Sequence, residues 1–568
     1  MQEKDFHKRV LIATITSAIL ITAWMYTFGG KKIDDNKNQT QQEQVAKKPE
    51  ESKLSEYKTA EPITPKEKEK LLAREKALKK AKRITINNKK LSGSISLKGL
   101  KFDDLTLKNY KKELNSDENV EFLSPINTEN TYFVDFGWIS SDETIKLPSA
   151  NTVWETNSTE LTTEKPATFT WKSRQGLTFI TIVSIDENYM FNIKQSVKNN
   201  SKNPIALIPY GRINKKMPSV LKSMKVLHQG AIGSFNQQVE EIAYKKIEKQ
   251  NYKFENGFDW IAITDKYWQT AIIADKNFKD ADVEFKFVDN NYKVEFKGKE
   301  VIIYNGQTIN SENNLFAGAK ELNILDKYSK ELNIPLFDRT VDFGWFYFLT
   351  KPLYLVLKFI YKIVGNFGVA ILLLTLLVKG VMLPMAKKSF VSMAKMKKLK
   401  PKTDALKKEF KDDKIGLNKA TMKLYQKEGV NPMSGCLPTL IQIPVFFSLY
   451  KVLYVTIDMR HAPFFGYIKD LSVADTTTIW NLFGILPYNL NLIHIGLLPC
   501  LMSLTMYIQQ KFNTQVSTDA TTQSMTKYMP FMFLFIFANF PSGLLVYWIF
   551  SNILTIGQQW WITRQLDK

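Results

Sequence analysis

Residues 367–386 read FGVAILLLTLLVKGVMLPMA, an apolar run long enough for a membrane helix, broken by one charge, Lys379. A charge at that depth costs at least ~2.5–3.5 kcal/mol on insertion scales, so it faces protein or water rather than lipid. The next basic residue is Lys387, eight positions on. At ~1.5 Å per residue this places Lys379 about 12 Å below the helix end, a stretch for simple snorkelling. Two readings stand. In one, tilt or bilayer thinning brings the ammonium to the interface. In the other, it lies in a wet cavity inside the membrane, where ionisable side chains mark function.

Similar runs lie on both sides. Met433–Val455, Leu492–Gln509, Met525–Phe540 and Gly543–Trp561 are candidate spans. From Met525 to Thr563 a single helix would measure about 58 Å, far beyond a ~30 Å hydrocarbon core. Pro541-Ser542-Gly543 is a turn signal near its middle, so two helices in a tight hairpin are predicted. Val10–Phe28 is nineteen residues long, and no small-x-small cleavage site follows Tyr26, which predicts an uncleaved anchor.

Between anchor and core the composition changes twice. Residues 31–83, rich in Lys, Glu, Gln and Pro, carry too little apolar surface to offset ordering and read as a linker. From residue 84 to about 340, strands and turns alternate. Examples are Val283–Phe287 with Tyr292–Phe296 across Asp289-Asn290-Asn291, Leu177–Val183 with Phe191–Ile193, and a pair within Trp260–Asp275. Trp154, Trp171, Trp260 and Trp268 are expected in its core rather than as a sugar platform, and the isolated His228 is expected to be structural. The predicted fold class is thus a polytopic α-helical membrane protein, an N-terminal anchor (1–30) plus a five-helix core (366–563), with a large β-sandwich extracytoplasmic domain (84–340). Residues 341–365, with Lys351, Lys358 and Lys362 among aromatics, read as an interfacial amphipathic helix: Pro352 in its first turn, lysines toward headgroups.

Loop charge sets the orientation. Residues 387–431 hold fourteen lysines and five acidic residues, a net +9, whereas 457–482 are net −1. The positive-inside rule places the first loop, both termini and a very short C-terminal tail in the cytoplasm, and the β domain outside. Apolar residues at Met396, Leu399, Thr403, Leu406 and Phe410, then Leu417, Ala420 and Leu424, predict a helical hairpin over 387–431 with a basic exterior. Its lysines, including Lys395, Lys397, Lys398, Lys400, Lys402, Lys407 and Lys408, are either a solvated face that fixes topology or a docking surface for anionic partners.

The chain has 568 residues, 44% hydrophobic and 24% charged, with net charge +22. It has two cysteines, Cys436 and Cys500, and four scattered histidines. HExxH, CxxC, Walker and GxSxG patterns are absent, so neither a metal nor a cofactor is expected, and hydrolase or nucleotide-driven chemistry is disfavoured. The spans themselves are polar in places. Thr375 lies one turn before Lys379, Gln442 between Pro438 and Pro444, Gln509 at a span end, and Asn552, Thr555, Gln558 and Gln559 in the last span. Singly these are helix-to-helix glue. With Lys379 they are able to line one hydrated, positive groove that has no acidic counter-ion.

At these residues the chain resembles the YidC membrane-protein insertase family. The matching stretches are VDFGWFYFLTKPL (341–353), LLTLLVKGVMLPMAKKSFVSMAKMKKLKPK (373–402), EGVNPMSGCLPTLIQIPVFFSLYKVL (428–453), RHAPFFGYIKDLS (460–472) and FPSGLLVYWIFSNILTIGQQW (540–560). The resemblance implies a β-supersandwich fold for the β domain and an inner-membrane insertase and chaperone that is not an enzyme and acts on nascent membrane proteins, alone or with the Sec translocon and ribosome, without recognising a nucleic-acid sequence. It also implies a groove wall of Lys379, Thr375, Gln442, Gln509, Tyr547 and Trp548. The family position usually carries arginine. Lysine keeps the charge and loses the bidentate fork, which favours a point-charge attraction. A solute transporter or channel is the rival reading, weakened by the lack of internal repeats. A glycan-directed envelope enzyme is another, without a visible carboxylate or histidine constellation.

Overall fold

The computed structural model describes residues 72–217, 227–275, 280–410, 413–431, 437–484, 495–512 and 520–566. The expected anchor, nearly all of the linker, Cys436 and the first residues of two expected spans lie outside them. The chain divides into two compact units. One lies largely within residues 72–319 and includes Glu331–Leu336, and the other runs mainly from Lys320 onward.

The first unit is built of two sheets. The larger has, side by side, strands Asp282–Val288, Asn291–Lys297, Ile205–Lys216, Tyr132–Ile139 and Lys101–Lys111 at its centre. The smaller runs Trp260–Thr264, Trp268–Ile273, Thr308–Ala319, Met190–Asn199 and Leu177–Ile185. Every neighbour in these two series is antiparallel. The alternation read in the sequence is the alternation of burial. In Leu177–Ile185 the odd positions point inward, and Leu177, Phe179, Val183 and Ile185 are all buried. The turn at Asp289-Asn290 has positive φ at both residues, 52° and 61°. This is the left-handed pair that a two-residue hairpin requires and that Asp and Asn tolerate.

The sheets meet through rings. Phe102 of the larger sheet packs edge-on against Phe191 of the smaller at 5.6 Å, and Phe285 of the larger meets Phe235 of the smaller at a tilt, 6.2 Å apart. Trp260 is fully buried, and its Nε1 donates to the Pro335 carbonyl at 2.8 Å. This places Trp260 in the core, as expected. Trp171 and Trp268 are only half-buried, each in contact with another ring. His228 is half-buried, and its Nε2 lies 3.0 Å from the Ala231 carbonyl oxygen.

The second unit is helical. Its helices are α1 (Leu322–Glu331), α2 (Tyr347–Val364), α3 (Phe367–Lys398), α4 (Lys400–Glu409), α5 (Lys414–Lys427), α6 (Leu437–Val455), α7 (Leu497–Phe512), α8 (Ala520–Ile536) and α9 (Ser542–Leu566). Among the described residues only α3 is both long and apolar enough to cross a membrane by itself, with a shorter apolar helical stretch at Leu440–Val455. The run from Met525 to Thr563 is indeed two helices, α8 and α9, broken before Ser542.

Local sequence explains the α2–α3 joint. Gly365 ends α2 in the left-handed conformation (φ 68°), its N–H bonding to the Tyr361 carbonyl. Asn366 then caps α3 by accepting from the Val369 N–H at 3.1 Å. Tyr361 and Phe367 stack across this joint with ring centroids 3.7 Å apart. Gly368 is needed for close approach, because a Cβ there would collide with the Phe464 ring.

Two expectations are corrected here. Pro352 is not in the first turn of its helix. α2 begins at Tyr347, and Pro352 lies inside it, where the missing N–H removes one helical hydrogen bond. The first hairpin helix does not take in Met396, which belongs to α3. The α3 helix continues unbroken to Lys398, since no glycine or proline follows Pro384 within it, and α4 starts at Lys400 with Pro401 in its first turn.

Candidate functional site

The polar residues of α3, α6 and α9 meet at Lys379. Its ammonium donates to Gln442 Oε1 at 3.3 Å and to Thr555 Oγ1 at 3.0 Å. On the far side of the amide, Gln442 Nε2 donates to the Tyr547 hydroxyl oxygen. A cation on one side and a phenol oxygen on the other thus set the orientation of the Gln442 amide. Thr555 gives its own proton to the Ser551 carbonyl at 2.7 Å, leaving its lone pairs to Lys379. Gln558 Nε2 lies 3.5 Å from the Lys379 carbonyl oxygen. Among the described residues no carboxylate pairs with Lys379, and the third N–H of its ammonium has no acceptor. The arrangement is a single cation held by neutral oxygens. It attracts an anion or a polar group, but it holds no base or nucleophile poised for covalent chemistry. Among the described residues no group of His, Cys, Asp or Glu side chains is placed to hold a metal.

Of the six expected groove residues, the structure brings together Lys379, Gln442 and Tyr547. Thr375 is on the same helix but fully buried, and its hydroxyl donates to the Ile371 carbonyl at 2.6 Å, so it is turned back on its own backbone. Trp548, one residue past Tyr547, faces another way. It packs on Phe446 at 4.5 Å and Phe537 at 4.9 Å, inside an aromatic cluster of α6, α8 and α9. Gln509 forms no hydrogen bond with Lys379 or its partners. Its helix, α7, instead adheres to α9 through Asn552 Nδ2 to Thr505 Oγ1 (3.1 Å) and Gln559 Nε2 to the Phe512 carbonyl (3.0 Å). Thr555 belongs in the cluster, and the spacing of Tyr547, Ser551, Thr555 and Gln558 at steps of four and three puts them on one helical stripe.

The basic hairpin is present as α4 and α5. Lys395, Lys397, Lys398, Lys400, Lys402 and Lys408 are exposed and Lys407 is half-buried. Lys402 pairs with Glu428 at 2.6 Å, tying one helix to the end of the other. Beneath them Leu399, Tyr425 and Val430 form a small buried cluster with Met396.

The lysines of α2 do not all face headgroups, as the sequence suggests. Lys351 reaches Asp326 of α1 and Asp338, each at 2.8 Å, and Lys358 reaches Asp458 at 3.0 Å. Only Lys362 is exposed among the three. The stripe next to them carries Phe348, Leu355, Phe359 and Ile363, 47% to 74% exposed. The helix is amphipathic, but its polar stripe binds protein carboxylates, which lie far away in sequence and carry no local signal.

Burial alone would raise the Asp338 carboxyl, but hydrogen bonds from Lys351 and Tyr347 outweigh it and hold it below its ordinary value. Burial likewise opposes the charge on Lys351, and its hydrogen bonds to Asp326 and Asp338 overcome this and push it up. The depressed acid contributes stability fully above the ordinary carboxylate range of about 4, lost as pH falls through its folded value. The raised amine contributes below about pH 10, lost as pH rises through its own. Amide exchange in α2 is therefore expected to stay constant between pH 5 and 9 and to accelerate only outside that window, once the intrinsic rate is divided out. Loosening at pH 6 would contradict the assignment.

Residues 83–356 match the family described as the YidC periplasmic domain, and residues 359–568 match the 60Kd inner membrane protein family. A curated relative from Rickettsia africae (strain ESF-5), "Membrane protein insertase YidC", is 44% identical over 566 residues, covering 98% of each chain. The chain belongs to the YidC membrane-protein insertase family. A relative of the same name from Rickettsia prowazekii (strain Madrid E) is 43% identical over 98% of each chain. A solved structure titled "Active YidC insertase crystal structure with the first transmembrane domain resolved" is similar at 18% identity and TM-score 0.35, covering 86% of this chain and 93% of that one. The chain is a membrane protein insertase of the inner membrane, not an enzyme, with a large β-rich periplasmic domain and a helical C-terminal region. Its substrates are nascent membrane proteins and its setting is the lipid bilayer.

Proposed function

We propose that this insertase works through a hydrated groove whose attracting group is the Lys379 ammonium, set by Gln442, Tyr547 and Thr555. The observation that carries the reading is the third N–H of the ammonium, unclaimed among the described residues, none of which supplies a carboxylate counter-ion. A permanent ion pair would quench the charge. Neutral acceptors hold it in place and leave it free for transient attraction of polar or acidic parts of a client, whose apolar segment then passes into lipid. The groove opens to the cytoplasm and to lipid and is closed to the periplasm.

We propose the domain organisation read from the sequence: an anchor at 1–30, a linker at 31–83, a periplasmic domain at 84–340, an interfacial helix at 341–365 and five spans within 366–563. Both termini are cytoplasmic. The exposed lysines of 387–431 dock the ribosome, and the helical unit works alone or beside the Sec translocon. Support for the docking role is the lysine-rich exterior on a small buried core of its own.

A photo-crosslinking residue in place of Gln442, presented with ribosome-stalled chains of increasing length, tests the groove. Crosslinks are expected only at lengths where a new membrane segment is emerging. Crosslinks independent of length, or none from a folded and abundant protein, would rule Gln442 out of the client path.

A further inference from the structure

The segment that joins α6 to α7 exposes apolar side chains where a loop in water exposes polar ones. Its described part, residues 456–484, is pinned to one end of the helical unit. The Phe464 ring lies against Gly368 at the start of α3. At the start of α9, Gly543 N–H donates to the Leu471 carbonyl at 2.9 Å and Ser542 N–H to the Val473 carbonyl at 2.7 Å. At the start of α7, Leu498 N–H donates to Asp475 Oδ2 at 2.7 Å. The basic hairpin follows the other end of α3, at Lys398. The segment thus lies at the end of the helices away from the hairpin.

Phe465, Tyr467, Val473, Trp480, Leu482 and Phe483 are 38% to 63% exposed. Among the described residues of the segment, Lys469 is the one charged group that is exposed. The three acids turn to protein partners. Asp458 pairs with Lys358 at 3.0 Å, Asp470 accepts from the Ser472 N–H at 2.8 Å, and Asp475 is buried beside α7.

The backbone sets these apolar groups outward. A tight turn, closed by Phe464 N–H to the Ile468 carbonyl at 2.9 Å and with Gly466 at φ 62°, keeps Phe464 half-buried and leaves Phe465 outside. Leu482 and Phe483 both sit in the left-handed region, φ 48° and 58°, which side chains of their size rarely adopt. Large apolar groups on an anchored and strained backbone call for a surface that covers them.

Lipid is the surface already at hand. The next helix, α7, exposes Leu501, Leu504 and Ile508, and in a protein of the inner membrane such a face meets acyl chains. Phenylalanine, tryptophan and tyrosine with a single lysine also match the membrane–water boundary, where aromatic rings anchor and a lysine reaches out to headgroups.

We propose that the 456–484 segment is seated in the bilayer interface, with Phe465, Leu482 and Phe483 among the outer ends of the acyl chains. Its partner is one lipid leaflet. On the orientation proposed above this is the periplasmic leaflet, and the seating itself does not depend on that orientation.

Single nitroxide labels at Phe465→Cys and Leu482→Cys, each combined with Cys436→Ser and Cys500→Ser, test this in the full chain in phosphatidylcholine nanodiscs. Power-saturation EPR compares relaxation by oxygen, which concentrates among acyl chains, with relaxation by a water-soluble nickel chelate. Leu504→Cys on α7 supplies the lipid reference and Lys408→Cys on the hairpin the water reference. Both labels are expected to be reached by oxygen and shielded from nickel, at a depth of about 5–10 Å below the phosphates. The two sites are read independently, so one suffices if the other variant fails to fold. Nickel access at either site equal to that at Lys408, or shielding from both relaxers as a covering protein would give, would overturn the proposal. The reading is the same in either orientation, so an inverted topology would leave it unchanged.

Discussion

Lys379→Glu is expected to abolish insertion of clients whose translocated segment is acidic, by at least tenfold in initial rate, while Lys379→Arg retains most of it. In the wild-type cluster the ammonium meets only neutral oxygens, from Gln442 and Thr555. A glutamate there places a carboxylate against the Gln442 carbonyl oxygen and reverses the sign of the groove. Two unit charges about 4 Å apart interact by ~4 kcal/mol at an effective dielectric of 20, so reversing one sign is more than enough for a tenfold change. Arginine keeps the charge and adds donors. Protease-protection assays on clients with acidic and with neutral translocated segments separate the effects. Equal insertion of both clients by the Glu variant would sink the electrostatic role, and a loss shared by Lys379→Arg would point to packing instead.

Asp475→Ala is expected to destabilise the helical unit by about 3 kcal/mol or more, combining a lost helix cap with stranded buried donors. Asp475 is 2% exposed. Its Oδ2 accepts from the Leu498 N–H at 2.7 Å and the Tyr467 hydroxyl at 3.3 Å, and its Oδ1 from the Thr477 N–H at 2.9 Å and the Thr477 hydroxyl at 2.8 Å. One carboxylate thus joins the 467–477 segment to the first turn of α7, where a negative charge suits the helix dipole. Gly496 stands beside it without a side chain, since a Cβ there would strike the carboxylate. Asp475→Asn keeps one acceptor and should lose much less. Thermal unfolding in detergent, followed by hydrogen exchange at residues 495–500, reads both variants. An unchanged midpoint for the Ala variant would show that the cap contributes nothing.

How much of this was legible depended on whether the signal was local. Lys379 announces itself, because one charge in twenty apolar residues has no cheap explanation. The hairpins at Asp289-Asn290 and Asp186–Asn188 are written in adjacent residues. So is the Gly365-Asn366 stop and start, although only the helix geometry revealed it. The α2 lysines show the limit. Their spacing gives an amphipathic helix, but period does not say whether the polar stripe meets water, headgroups or the carboxylates of Asp326, Asp338 and Asp458. Trp548 shows it again. Adjacent to Tyr547 in sequence, it is turned about a hundred degrees around the helix, into an aromatic cluster instead of toward Gln442.

From sequence alone came the class of protein, its apolar helices and alternating strands, the family to which it belongs and the cation at its centre, because hydrophobic period and charge act over a few residues. Tertiary structure alone decided which partners those groups meet. It chose Thr555 over Gln509 beside Lys379 and turned Thr375 back onto its own helix. Hydrogen bonds and ion pairs reach only about 3–4 Å, so their making depends on which distant residues the fold brings within that range.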